Sequence, residues 1–203
     1  VTHLVLVRHG QTDWNLQERI QGSSDIPLNE TGREQARAAG RLLADQHWDA
    51  IVSSPLSRAL ETARIIAAEV GLHSVQTVDD LRERHYGAAE GLTGAEVEAR
   101  FDGGRQVTGR ESRDAVIERV RPALIDIAEE HPGQSVLVVS HGGVIGSLVR
   151  DATDYAWPEA GQPIPNGSAH RFRYRDGVLG LVEFNGTPWA VPTLDARSDA
   201  PTR

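Results

Sequence analysis

The chain has 203 residues, 39% of them hydrophobic, with 29 Asp and Glu against 21 basic residues and a formal net charge of −8. That length suits one domain with one substantial core, and the acidic balance creates a field that repels nucleic acid and anionic membranes, so neither is expected as a partner. Every basic residue is an arginine and there is no cysteine, which excludes P-loop and Schiff-base lysines, cysteine nucleophiles, thiolate zinc sites and disulfides.

No run approaches the roughly 18 consecutive apolar residues of a membrane span. The N-terminus enters strand pattern with no basic region, apolar stretch and cleavage site before it, so a cytoplasmic location is expected.

In chain order, the first apolar run is LVLV at 4–7, a predicted strand that delivers Arg8, His9 and Gly10 at its tip, with Thr12 and Asn15 just beyond. Residues 31–46 carry Ala36, Ala39, Leu42 and Leu43 at helical spacing. AIV at 50–52 predicts a second strand, followed by a helix over 56–70 with Ala59, Ala63, Ile66, Ala67 and Val70 on one face. Ser54 is a suitable N-cap and Pro55 a suitable first helical residue, which places Arg58 near the positive end of the helix dipole. A cation there is disfavoured by about 0.3 to 1 kcal/mol, and a bound anion reverses that sign.

A short strand is expected at 75–78, with Leu81-Arg82-Glu83-Arg84-His85 after it, and a helix over 114–130. VLVV at 136–139 predicts the next strand, leading into Ser140-His141-Gly142-Gly143 and a helix over 144–151. A glycine-rich junction between strand and helix exposes backbone N–H groups that hold phosphate. Residues 158–167 read as loop, and 169–174 and 178–184 as an antiparallel pair around the turn Arg175-Asp176-Gly177. The polar, aperiodic tail at 190–203 is expected to be mobile.

The early apolar runs lack polar alternation, as in parallel strands covered on both faces. Strand followed by helix, repeated, predicts an α/β protein: a three-layer α/β/α sandwich with a mostly parallel mixed sheet, in a single domain over 1–203. Ligands in such sheets bind outside the carboxyl ends of the strands. There Arg8, His9, Arg58, Glu83 and His141 can converge with the Gly142–Gly143 amides on a tetrahedral dianion. A metal alternative from His9, His141, His85 and Asp13 is disfavoured. No local His spacing matches HExxH, and two nearby arginines repel a divalent ion, so neither metal nor other cofactor is expected.

These residues carry a resemblance. RHGQTDWN at 8–15, SSPLSRALETA at 53–63, LRERHYGAAEG at 81–91 and SHGG at 140–143 resemble, in content and order, the motifs of the histidine phosphatase superfamily and its phosphoglycerate-mutase-like branch. GRES at 109–112 resembles that family's Gly-Gly-Glu-Ser element and PNGS at 165–168 its late loop, so the likeness spans about 2–185.

The resemblance implies that His9 is a nucleophile forming a phosphohistidine, and that Arg8, Arg58 and His141 bind the phosphoryl oxygens. Gly142, Asn15 and Thr12 would serve the same phosphate pocket. Glu83 is implied to protonate the leaving group and then accept a proton from water; Glu90 is its rival by composition, but falls in a Glu-Gly pair with a structural role in the family. Gln21 resembles a residue at the substrate mouth.

Two activities share such a pocket: hydrolysis of a small phosphorylated metabolite, and bisphosphoglycerate-dependent phosphoglycerate mutation. A non-catalytic phosphate-binding module is a third reading, disfavoured because nucleophile, arginines and acid are all retained. Only residues 92–108, low in basic character, separate Gly91 from Gly109 where the family generally has a longer insert. A short cap over about 91–112 implies a wetter pocket and favours the phosphatase. Many relatives pair into homodimers, but no interface pattern stands out in this sequence.

Overall fold

The structure is a computed structural model, and it describes residues 1–103 and 105–189. The tail expected to be mobile, 190–203, lies outside the described residues.

Seven strands form one sheet in the order β3-β2-β4-β1-β5-β6-β7. Strands β1 (Thr2–Arg8), β2 (Ala50–Ser53), β3 (Gln76–Thr77) and β4 (Ser135–Ser140) run parallel, while β5 (Ala169–Arg175), β6 (Val178–Phe184) and β7 (Thr187–Pro188) add antiparallel pairs at one side. The mixed sheet expected from the sequence is therefore the one observed. The β5–β6 hairpin turns on Asp176 and Gly177, both at positive φ (51° and 81°), the geometry that an Asp-Gly pair supports.

Helices are α1 (Asp13–Leu16), α2 (Glu30–Leu43), α3 (Ser57–Val70), α4 (Gly94–Arg100), α5 (Arg113–Glu130) and α6 (Gly142–Ala152). The alternating side-chain direction of a strand explains why the apolar runs are continuous. Leu4 and Leu6 of β1, with Val136 and Val138 of β4, pack into one cluster with α5 and α6 through Val120, Leu124, Ile145 and Leu148. Val5, Val7, Leu137 and Val139 face the other way, against Ala39, Leu43, Ala63 and Ile66 of α2 and α3. These are the three layers.

Chain direction then makes the crevice. Strands β1 and β4 are neighbours, with Arg8 opposite Ser140 at their carboxyl ends. Beyond those ends the chain continues to α2 on one face and to α6 on the other, so the two exits diverge and open a cleft at the switch point.

One boundary differs from expectation for a physical reason. Helix α3 begins at Ser57 with Leu56 at its N-cap, not at Pro55 with Ser54 as cap. Asp25, from a distant loop, accepts both the Ser57 N–H and its hydroxyl at 2.8 Å, so the end is capped in tertiary structure and Ser54 is released for other use. Helix α6 also starts earlier than read, at Gly142, with His141 as its N-cap.

Candidate active site

His9 follows β1 directly, and its main chain is fixed on both sides. Its N–H donates to Ser140 O at 3.0 Å, and the Gly10 N–H donates to Thr62 Oγ1 at 3.1 Å. Gly10 lies so close to α2 that a Cβ there would sit 2.2 Å from Gly32 O. The imidazole is 1% exposed. Its Nδ1 meets Gly10 O at 2.6 Å, so Nδ1 carries the proton and donates. Nε2 is left with a lone pair, which accepts from Arg58 Nε at 3.3 Å. Burial, reinforced by the charges of Arg8 and Arg58, pushes the ring well below the usual imidazole range. His9 is a neutral base aimed by its backbone.

Arg58 is fully buried, and its remaining nitrogens are held by the loop after α1, Nη1 donating to Ser24 O and Nη2 to Gly22 O, both at 2.8 Å. That loop is itself fixed by Glu90. Its carboxylate accepts the Ser23 and Ser24 N–H groups at 2.9 and 3.0 Å, both serine hydroxyls, and the Tyr86 N–H at 3.2 Å. Burial raises the Glu90 pKa, but these hydrogen bonds outweigh it and hold the carboxyl below its ordinary range. Glu90 thus holds the loop whose Gly22 and Ser24 carbonyls accept from Arg58.

His141 is also fully buried, its ring centroid 5.2 Å from that of His9 in an edge-on arrangement. Its Nε2 lies 2.8 Å from Ser54 Oγ. Ser54 Oγ accepts the Leu56 N–H at 3.3 Å and has a hydrogen to give His141 Nε2, the arrangement in which Nδ1 carries the ring proton. Burial, then Arg58 and His9, lowers the His141 pKa well below the ordinary value. Among the described residues, Arg8 Nε and His141 Nδ1 are buried nitrogens with no hydrogen-bond partner. Two such orphans beside the His9 lone pair suit an oxyanion.

Across the cleft Glu83 is 8% exposed, accepting the Arg84 N–H at 2.8 Å and the Gly143 N–H at 3.1 Å. Its loop is tied to α5 by Arg119, which pairs with Glu111 at 2.7 Å and donates to Asp80 O, Arg82 O and Glu83 O. Glu111 also accepts the His85 N–H at 3.0 Å. Glu111 of the GRES element therefore braces the loop that carries Glu83.

The polar residues expected around the phosphate divide into two groups. Thr12 is buried, caps α1 and donates to Gln21 Oε1 at 2.8 Å, so it positions its neighbours and does not face the cavity. Asn15 Oδ1 accepts from Thr12 N and Asn166 Nδ2, which turns its amide N–H groups toward the cavity. Asn166 Nδ2 also donates to His9 O at 2.9 Å.

Arg8, His9, Asn15, Gln21, Glu83 and Gly142 line a cavity of about 340 Å³. Arg58 and His141 do not line that cavity but lie against the His9 ring, Arg58 at its Nε2. The sequence reading missed Tyr86, Arg113, Arg150, Pro163 and Ile164, which form the outer wall, and Asn166 behind it. The PNGS match signalled Asn166, and Tyr86 lies within the LRERHYGAAEG motif three residues after Glu83; Arg113, Arg150, Pro163 and Ile164 come from elements distant in sequence. No described residue of 91–112 lines this cavity. Among the described residues there is also no group of three His, Asp or Glu side chains able to hold a metal ion.

A buried neutral histidine, two arginines and a carboxylate at the switch point of an α/β/α sandwich define a protein class that handles phosphoryl groups. The description "Histidine phosphatase superfamily (branch 1)" fits residues 4–187, and the chain belongs to that family. An uncharacterized phosphatase, PhoE, of Bacillus subtilis is 36% identical over 98% of this chain and 96% of its own length. A metal-independent phosphoserine phosphatase of Arabidopsis thaliana is 43% identical over 73% of this chain and 67% of its own. The structure of a mycobacterial glucosyl-3-phosphoglycerate phosphatase complexed with VO3 superposes with a TM-score of 0.82 at 34% identity, covering 92% of this chain and all of that one. Proteins named as phosphoglycerate mutases are also similar.

Proposed function

We propose that this protein is a metal-independent phosphatase that hydrolyses a small phosphomonoester through a phosphohistidine on His9. The observation that carries the reading is the His9 tautomer: Nδ1–H is committed to Gly10 O, so the Nε2 lone pair is the one that can attack.

In the first step His9 Nε2 forms a bond to phosphorus as the ester P–O bond breaks, and Glu83 gives its proton to the departing alkoxide. In the second, Glu83 takes a proton from water, the resulting hydroxide attacks phosphorus, and the N–P bond breaks to release inorganic phosphate and restore the lone pair. Arg8, Arg58, His141 Nδ1–H, the Gly142 N–H and Asn15 hold the phosphoryl oxygens as charge shifts between them. Guanidinium groups supply the positive charge a metal would otherwise bring. Gln21 bounds the mouth, and Thr12 sets Gln21 and Asn15.

Hydrolysis is favoured over transfer because no described residue of 91–112 covers the cavity, which leaves the phosphoenzyme accessible to water. The test is incubation with 3-phosphoglycerate, with and without 2,3-bisphosphoglycerate, following free phosphate and 2-phosphoglycerate together, and p-nitrophenyl phosphate in EDTA. Phosphate release that survives EDTA, without isomerisation, is expected. Fast bisphosphoglycerate-dependent isomerisation would assign a mutase, and EDTA-sensitive hydrolysis would remove the histidine mechanism.

A further inference from the structure

The turn after β1 is held peptide by peptide, each polar group with its own partner. Arg8 O accepts the Gly167 N–H at 2.9 Å, and the His9 N–H donates to Ser140 O at 3.0 Å. In the next peptide His9 O accepts from Asn166 Nδ2 at 2.9 Å, and the Gly10 N–H donates to Thr62 Oγ1 at 3.1 Å. In the third, Gly10 O meets His9 Nδ1 at 2.6 Å, while the Gln11 N–H donates to Gln35 Oε1 at 2.8 Å. Gln35, a residue of α2, has no part in the chemistry described so far.

That third peptide decides the His9 tautomer, and its own chain constrains it least. Position 10 must be glycine, because a Cβ there would sit 2.2 Å from Gly32 O. Without a Cβ, local sterics leave the following peptide free to turn, so they do not aim its carbonyl. A trans peptide is planar, with its C=O and N–H pointing in opposite directions, so fixing one end aims the other. Gln35 fixes the N–H end.

Gln35 is itself held in place. Gly167, at φ 74°, crosses over it: a Cβ on Gly167 would lie 3.4 Å from Gln35 O and 3.5 Å from Gln35 Cβ. Because its partner is an N–H, the side-chain amide must present Oε1, which settles its orientation. Asn29, the cap of α2, takes the other side of Gln11, its N–H donating to Gln11 O and its Nδ2 to Gln11 Oε1, both at 3.1 Å.

We infer that Gln35 is a positioning residue that sets the His9 tautomer: by accepting the Gln11 N–H it turns the Gly10 carbonyl onto His9 Nδ1, and so keeps Nε2 unprotonated for attack on phosphorus. The inference rests on the reading of His9 as the nucleophile. Without the acceptor, the Gln11 N–H turns to another partner, the peptide rotates, and Nδ1 loses the carbonyl that held its proton. A ring with its proton on Nε2 has no lone pair there to attack. Arg8, Arg58 and the Gly142 N–H do not depend on this peptide, so phosphate binding should be spared.

Gln35→Met keeps the side-chain length and removes the acceptor, whereas Gln35→Glu keeps an acceptor oxygen. Nitrogen-15 spectra of the imidazole rings at neutral pH, where burial keeps His9 uncharged, distinguish protonated from unprotonated ring nitrogens, and His9 is identified by its loss in His9→Ala. Wild type and Gln35→Glu should show Nδ1–H with Nε2 bare, and Gln35→Met a mixture that includes Nε2–H. With p-nitrophenyl phosphate, kcat should fall about tenfold or more in Gln35→Met but less than about fivefold in Gln35→Glu, a fully reversed tautomer costing about 10,000-fold in a catalytic triad. Inhibition by inorganic phosphate should stay within about twofold in both.

A Gln35→Met protein with the wild-type ring spectrum or undiminished kcat, a kcat loss matched by equally weakened phosphate inhibition, or a Gln35→Glu protein no better than Gln35→Met would each overturn the inference. Gln35→Ala, which removes the acceptor without adding bulk, carries the same expectations if Gln35→Met does not fold. Failure of the phosphatase reading shows separately, as wild-type protein that does not hydrolyse p-nitrophenyl phosphate, and the ring spectra then still decide the role of Gln35.

Discussion

Gly143→Ala separates the chemistry from the fold. A Cβ at this position would lie 2.5 Å from Glu83 Oε1, 3.0 Å from the Tyr86 hydroxyl and 3.2 Å from Arg84 Cβ. Ordinary contact begins at 3.4 Å, so the Glu83 carboxylate must retreat by about 0.9 Å. Glu83 is the end of a flexible side chain, whereas α6 is packed along its length, so the carboxylate is what moves. Stability should hold, since alanine is favoured over glycine in a helix by about 0.5 to 1 kcal/mol.

A misplacement near 1 Å lowers a positioned proton transfer by about 100-fold. The loss should fall on substrates whose leaving group needs the proton. We expect kcat/KM on an alkyl phosphate to drop by about 30- to 100-fold, and on p-nitrophenyl phosphate, which departs as a stable phenolate, by less than about fivefold. Steady-state kinetics on both substrates, with thermal unfolding as a control for folding, provide the measurement. An equal loss on both, or an alkyl phosphatase rate unchanged at the same Tm, would refute the assignment of Glu83 as proton donor.

Gly10→Ala should behave oppositely: its Cβ would meet the backbone of Gly32 at 2.2 Å, where nothing flexible can yield. A destabilisation of about 3 kcal/mol, or roughly 6 to 12 °C in Tm, is expected by calorimetry. His170 is buried and stacked on Phe184, and its Nδ1 accepts the Asn185 N–H at 3.2 Å. Burial lowers its pKa from 6.5 to about 4. The stabilisation is complete above pH 6.5 and is lost as pH falls toward 4, so wild type should lose about 2 kcal/mol more than His170→Gln between pH 7 and pH 5 in urea titrations. Parallel losses would contradict this. Glu90→Ala should free the loop that holds Arg58, weakening vanadate inhibition and kcat together by about tenfold; unchanged vanadate affinity would place Arg58 under other control.

Much of this was legible because it is local. The strand LVLV had to be covered on both faces, so its tip had to emerge at a sheet edge, and the same held for VLVV before His141. Periodicity therefore placed Arg8, His9, Glu83 and His141 at one end of the molecule, and the RHG and SHGG motifs named the family. Local rules misplaced the start of α3, because its cap is Asp25, a residue brought from another loop.

What only the tertiary structure decided is how these groups are held and what surrounds them. The His9 tautomer depends on where the Gly10 carbonyl turns, and the setting of Arg58 on two carbonyls that Glu90 keeps in place. The outer wall joins Tyr86, the start of α5, the end of α6 and the loop through Ile164. Spacing along a chain fixes which face of an element a residue takes, but the distance between residues of different elements is set by packing. Arg150 shows the difference: in sequence it is one charge in a helix, and only the packing of α6 beside α5 and the loop through Ile164 places it on the wall of a cavity.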